Sequence, residues 1–126
     1  MERVYSGAIG GRYLWGRNRS VYPPQEKNKN GEVHHHMSMI SFDTARKLFV
    51  FRQFHTEGFV NTYVQQTTND DRTIVFVSEA IENIAAGWRA RETYRFAGEQ
   101  LVERFELAPP GRDFSVYSEN VLQRAR

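Results

Sequence analysis

The chain has 126 residues, 17 basic against 15 acidic side chains, a formal net charge of +2, 40% apolar residues and no cysteine. These totals fit one domain spanning 1–126 that can bury roughly two-thirds of its unfolded surface, and they exclude disulfides and thiolate zinc sites. No opening apolar run resembles a secretion signal and no stretch approaches the ~20 apolar residues of a membrane helix, so a soluble cytoplasmic protein without a membrane span is expected.

Helical periodicity is nearly absent. Alternating or β-branched runs separated by turn residues recur roughly every ten residues, which predicts an all-β chain. Strands are expected over 2–8, 11–22, 33–42, 47–56, 59–67, 72–80, 88–97, 100–107 and 114–122. "SEAIENIAAG" reads as one short helical turn and the last residues as a frayed second one. A polar loop, "PPQEKNKNGE" (23–32), and the break "LAPPGRDF" interrupt the pattern, since proline does not sit inside a central strand. The short connections predict an antiparallel up-and-down β-barrel of about nine strands, because closure removes the exposed edges that an open sheet leaves. A barrel of that size holds one small ligand.

Along the chain, "GRNR" brings Arg17 and Arg19, and "RARETYR" brings Arg89, Arg91 and Arg95. Such clusters could contact phosphate, but no nucleic-acid fold signature accompanies them, and no nucleic-acid partner is expected. The strand at 33–42 opens with His34, His35 and His36 and turns through Asp43–Arg46 into the next. A four-residue loop would set His34 opposite His55, and a three-residue loop His35. His34 and His36 share a face, so these two with His55 are candidate ligands for a divalent metal. Glu57 is the nearest further donor in sequence; the alternative is a triple histidine at a strand end in solvent.

In 47–56, Val50, Arg52 and Phe54 oppose Phe49, Phe51, Gln53 and His55. Both faces are largely aromatic, so this strand is expected to be covered on both sides or paired at an interface. After a break at Gly58, Phe59, Asn61 and Tyr63 share a face. The hairpin 88–107 is the most legible, because Gly98-Glu99 suits a two-residue type II′ loop. That turn sets Phe96 opposite Leu101, Tyr94 opposite Glu103, Glu92 opposite Phe105 and Ala90 opposite Leu107, on one apolar face with Trp88. Arg91 and Glu106 then form an exposed cross-strand ion pair on the other face.

Glu92 and Glu103 thus point inward, diagonal to each other. Buried carboxylates need partners. Either they sit at a wet rim, or they answer Arg52 or a ligand cation, or they act as acid and base. The expected lumen lining is Arg52, His55, Asn61, Tyr63, Trp88, Glu92, Tyr94 and Glu103. It suits a small hydrophobic or amphipathic guest. The alternatives are haem or metal bound through His55 with His34 or His35, and a small isomerase or hydrolase using a lumen histidine or glutamate.

The strings "GGRYLWGRNRSVYPPQEKNKNGE", "FVFRQFHTEGFVNTYV", "EAIENIAAGWRARETYR" and "FELAPPGRDFSVYS" resemble a small bacterial family of unassigned function, close to calycin-type barrels of the fatty-acid-binding-like and nitrobindin-like kinds. The resemblance spans nearly the whole chain and implies an antiparallel, lipocalin-like barrel with an internal cavity. Relatives of this type generally begin with a further strand marked by tryptophan and glycine, whereas this chain opens at "MERVYSGAIGGRYL". A barrel without that strand is expected to have an open seam, which a second subunit could cover to make a homodimer. Nitrobindin-like proteins hold haem through a histidine near the C-terminus; here no histidine follows His55, so that ligand does not carry over.

Overall fold

The computed structural model describes residues 2–22, 24 and 31–124. They form nine strands: β1 (Glu2–Ala8), β2 (Tyr13–Tyr22), β3 (Glu32–Asp43), β4 (Leu48–His55), β5 (Val60–Gln66), β6 (Thr73–Glu82), β7 (Arg89–Ala97), β8 (Gln100–Ala108) and β9 (Ser115–Gln123). Each pairs antiparallel with the next in a single sheet. The expected all-β, up-and-down order is therefore present, with strand ends within two residues of expectation. Most of the expected loop over 23–32 lies outside the described residues, as do the last two residues. No helix among the described residues is long and apolar enough to cross a membrane.

Two expectations are corrected. "SEAIENIAAG" is not a helical turn: β6 runs on to Glu82, and the chain reverses at Asn83, whose φ is 66°. Ala80 to Glu82 pair with Thr62 to Val60 of β5, past a bulge between Thr62 and Tyr63. Ladder bonds to an existing strand win over an isolated helical turn, whose nucleation is unfavourable. The expected barrel is also not closed. The sheet curls into a half-barrel with β1 and β9 as its two edges, each hydrogen-bonded to one neighbour only. Side chains span the interior instead, since Arg3 of β1 forms an ion pair with Glu103 of β8.

The β7–β8 hairpin has the expected register throughout, from Ala97 opposite Gln100 to Ala90 opposite Leu107. Gly98, at φ 63°, takes the left-handed first position of its two-residue turn. The β3–β4 hairpin differs. Asp43 Oδ1 accepts from the amides of Ala45 and Arg46 at 3.0 and 3.1 Å, so Asp43 closes the strand and the loop is Thr44–Lys47. His36, rather than His34 or His35, lies opposite His55. The loop has the four residues of one of the two expected alternatives, and the pairing is shifted from it by two residues, so His34 and His36, and not His35, share the face of His55.

The concave face carries the core. Phe51, Tyr63, Phe76 and Ala90 are buried there, flanked by Ile40, Ile74, Tyr94 and Leu107. Phe51 stacks on Tyr63 with ring centres 5.5 Å apart and touches Phe76 at 5.1 Å. Each such aromatic contributes on the order of 2–3 kcal/mol by burial. On the outer face of β4 only the first half is covered: Leu48 is half-buried and Val50 buried, whereas Arg52 and Phe54 are exposed.

Candidate functional site

Strand alternation sends Arg3, Tyr5 and Gly7 of β1, even-numbered residues of β2 and β3, and odd-numbered residues of β4 and β5 to the concave side, since directly paired residues share a face. The side chains that meet there form three levels. At the end holding the 44–47 and 98–99 turns lies an apolar cavity of about 550 Å³, walled by Leu14, Ile40, Phe42, Phe49, Phe51, Phe76, Tyr94, Phe96 and Leu101 and bordered by Tyr5.

Beside it is a buried polar level. Arg3 donates from Nε and Nη2 to Asn18 Oδ1 at 3.3 and 3.1 Å and pairs with Glu103. Asn18 in turn donates to Ser20 Oγ at 3.1 Å, and Asn61 donates to the Tyr63 hydroxyl at 2.9 Å. Glu92 is only 5% exposed. Burial pushes its carboxyl up to about 8, against the smaller downward pull of Arg3 and a hydrogen bond with Gln53. Its Oε2, Gln53 Oε1 and Asn61 Oδ1 are buried with no hydrogen-bond partner among the described residues. Burial also raises the phenols of Tyr5, Tyr63 and Tyr94, so all three stay protonated near neutral pH.

The third level holds histidines. His36 faces His55 across the β3–β4 ladder, and His34 follows on the same face of β3. Ring centres are 5.4 to 6.1 Å apart, and one ligating atom from each ring lies within 4.8 Å of the others. His34 Nδ1 is 2.7 Å from Glu57 Oε1, and His55 Nε2 is buried with no hydrogen-bond partner among the described residues. Burial, with Arg3 and the other two rings, lowers His36 to about 3; burial and His34 lower His55. His35 points outward and is exposed, its backbone bonded to Thr56. The triple histidine is thus neither a solvated strand end nor one group: three rings converge and the fourth is excluded.

Of the expected lining, Asn61, Tyr63, Glu92, Tyr94 and Glu103 meet in the interior, and His55 joins them four residues below Phe51, about 13 Å along β4. Arg52 is corrected: it is exposed on the outer face, with Nη1 3.4 Å from Ser41 Oγ, so it answers neither carboxylate. Trp88 sits half-buried in the loop before β7 and does not wall the cavity. The residues missed are Arg3, Tyr5 and Gln53. Alternation in "RVYSG" puts Arg3 and Tyr5 on one face, but nothing local says that Arg3 reaches Glu103 of β8.

The basic clusters are tied into the protein surface. Arg17 lies over Trp15 at 4.9 Å, and Arg89 and Arg91 lie over Phe114 at 4.8 and 4.4 Å. The Arg91–Glu106 pair is bidentate at 3.0 and 2.8 Å and, contrary to expectation, sheltered, with Glu106 8% exposed. No protein-family model matches the chain, and no curated protein matches it.

Proposed function

We propose that the protein binds a small amphipathic molecule in its half-barrel, with the apolar part in the cavity and a neutral polar end at Glu92, Gln53 and Asn61. The observation that carries this reading is an aromatic cavity of about 550 Å³ adjoining buried polar atoms that lack partners among the described residues. The charge balance narrows the guest. At the polar level Arg3 is matched by Glu103 and Glu92 is held largely protonated, so a carboxylate head placed there would meet no unmatched cation; Arg12, which also borders the cavity, lies in the turn between β1 and β2, away from that level. A hydroxyl, amide or carbonyl would hydrogen-bond with Gln53 and the Glu92 carboxyl. Haem ligated by His55 fits less well, because the imidazoles lie about 13 Å from Phe51 in the cavity wall. The resemblance to calycin-type barrels supports the same reading. A homodimer along the open seam belongs to it as well, since edge strand β9 exposes Val116, Tyr117 and Val121.

The test is titration of the protein with N-phenyl-naphthylamine, followed by displacement with dodecanol and with dodecanoate at neutral pH. One saturable site per chain is expected, with dodecanol the better competitor. Leu101→Trp, which fills the cavity, should weaken probe binding about tenfold while leaving the circular dichroism unchanged. Absence of saturable binding would end the proposal.

A further inference from the structure

We infer that His34, His36 and His55 form a binding site for one divalent transition-metal ion of the zinc class, separate from the proposed guest site. Three imidazoles reach it from two adjacent strands by register alone: His36 opposes His55, and His34 is one pleat away on the same face. Their ligating atoms lie within 4.8 Å of one another. Two nitrogens bound tetrahedrally at about 2.05 Å from zinc stand roughly 3.3 Å apart, so small side-chain rotations close the set.

Two further observations point the same way. A carboxylate only accepts, so Glu57 fixes the proton of His34 on Nδ1 and leaves the Nε2 lone pair free. A carboxylate behind a ligating histidine is the usual outer-shell partner of zinc. His55 Nε2, meanwhile, is buried without a partner among the described residues. An all-imidazole donor set suits zinc, copper or nickel and disfavours calcium and magnesium, which take oxygen ligands. The charges facing the cluster are Glu57, which favours a cation, and Arg3, whose opposing charge is paired with Glu103. Three protein ligands leave a fourth position for water or an exogenous donor, the arrangement of zinc sites that bind or activate a small molecule.

His35 supplies an internal control, because it is adjacent in sequence but points to the other face. The experiment is competition for Zn²⁺ between untagged protein and a chromophoric chelator, with imidazole nitrogen NMR of the wild type. One Zn²⁺ per chain is expected, with ring shifts at His34, His36 and His55 and none at His35. Glu57→Gln should weaken binding about 10–100-fold. His36→Ala and His55→Ala should weaken it further, and His35→Ala should leave it unchanged. The inference is overturned if the wild type shows no binding or a stoichiometry other than one. It is equally overturned if His35 shifts with the others, or if His35→Ala matches His36→Ala. The wild-type NMR decides the matter even where a variant fails to fold. Failure of zinc binding would leave the lipid-probe result untouched, and the reverse also holds.

Discussion

Glu92 is the residue at which this interior works against its own stability. In the unfolded chain its carboxyl titrates near 4.5, and in the fold near 8. Between those values the folded protein keeps a proton that the unfolded chain has lost, so this group's contribution to stability falls as pH rises and levels off above about 8. At about 1.4 kcal/mol per pH unit, the window is worth on the order of several kcal/mol. Glu92→Gln keeps the volume and the hydrogen-bonding groups but does not ionise. Urea denaturation should show it more stable than the wild type by roughly 2–4 kcal/mol at pH 8, with little difference near pH 4.5. The histidine contributions are common to both proteins and cancel in the difference. Parallel pH profiles would show that Glu92 is not held protonated. Arg3 shows the opposite logic: it is acceptable in the interior because Glu103 and Asn18 take up its charge and donors.

Among the strands, β2 depends on what it lacks. A Cβ on Gly16 would stand 2.6 Å from Ser38 Oγ and 3.0 and 3.1 Å from two carbons of the Tyr5 ring. The missing side chain lets Tyr5 lie against the sheet and border the cavity. Gly16→Ala should therefore destabilise by about 1–3 kcal/mol through overpacking and displace Tyr5. Thermal melting together with probe affinity tests this; an unshifted melt and unchanged binding would show that Ser38 and Tyr5 rearrange freely. In β3 and β4 the lesson concerns turn chemistry. Asp43 binding the amides of Ala45 and Arg46 moved the loop by one position, hence the pairing by two. An even slip from the four-residue alternative preserves faces, so His34 and His36, and not His35, share the face of His55.

For the whole molecule, the open seam predicts an uneven distribution of local stability. β1 and β9 each have one hydrogen-bonded neighbour, and β9 is largely exposed, whereas β4 to β6 have two neighbours each and include Phe51, Tyr63 and Phe76. In the monomer, amide hydrogen exchange should therefore be fastest in β9 and the outer-edge amides of β1, and slowest in β4 to β6. If β9 were protected as strongly as β5 in dilute protein, its edge would be covered in solution, as the proposed homodimer requires.

Nine strands, their order and the β7–β8 register followed from the sequence, because alternation and turn residues are local signals and a two-residue loop admits one pairing. The inward direction of Asn61, Tyr63, Glu92, Tyr94 and Glu103 followed as well, since facing is a matter of parity; on β4, where both Arg52 and His55 were expected inside, parity allowed only one of them. Only the tertiary structure decided which inward residues meet. Arg3 finds Glu103 from 100 positions away because the sheet curls, and no local pattern encodes that angle. Arg52 is a different case: alternation alone set it on the face opposite His55, and its charge, not its parity, made it a candidate partner for the carboxylates. Curvature and residual openness come from twist and packing summed over all nine strands, so the seam, the cavity and the convergence of three histidines are properties of the assembled sheet.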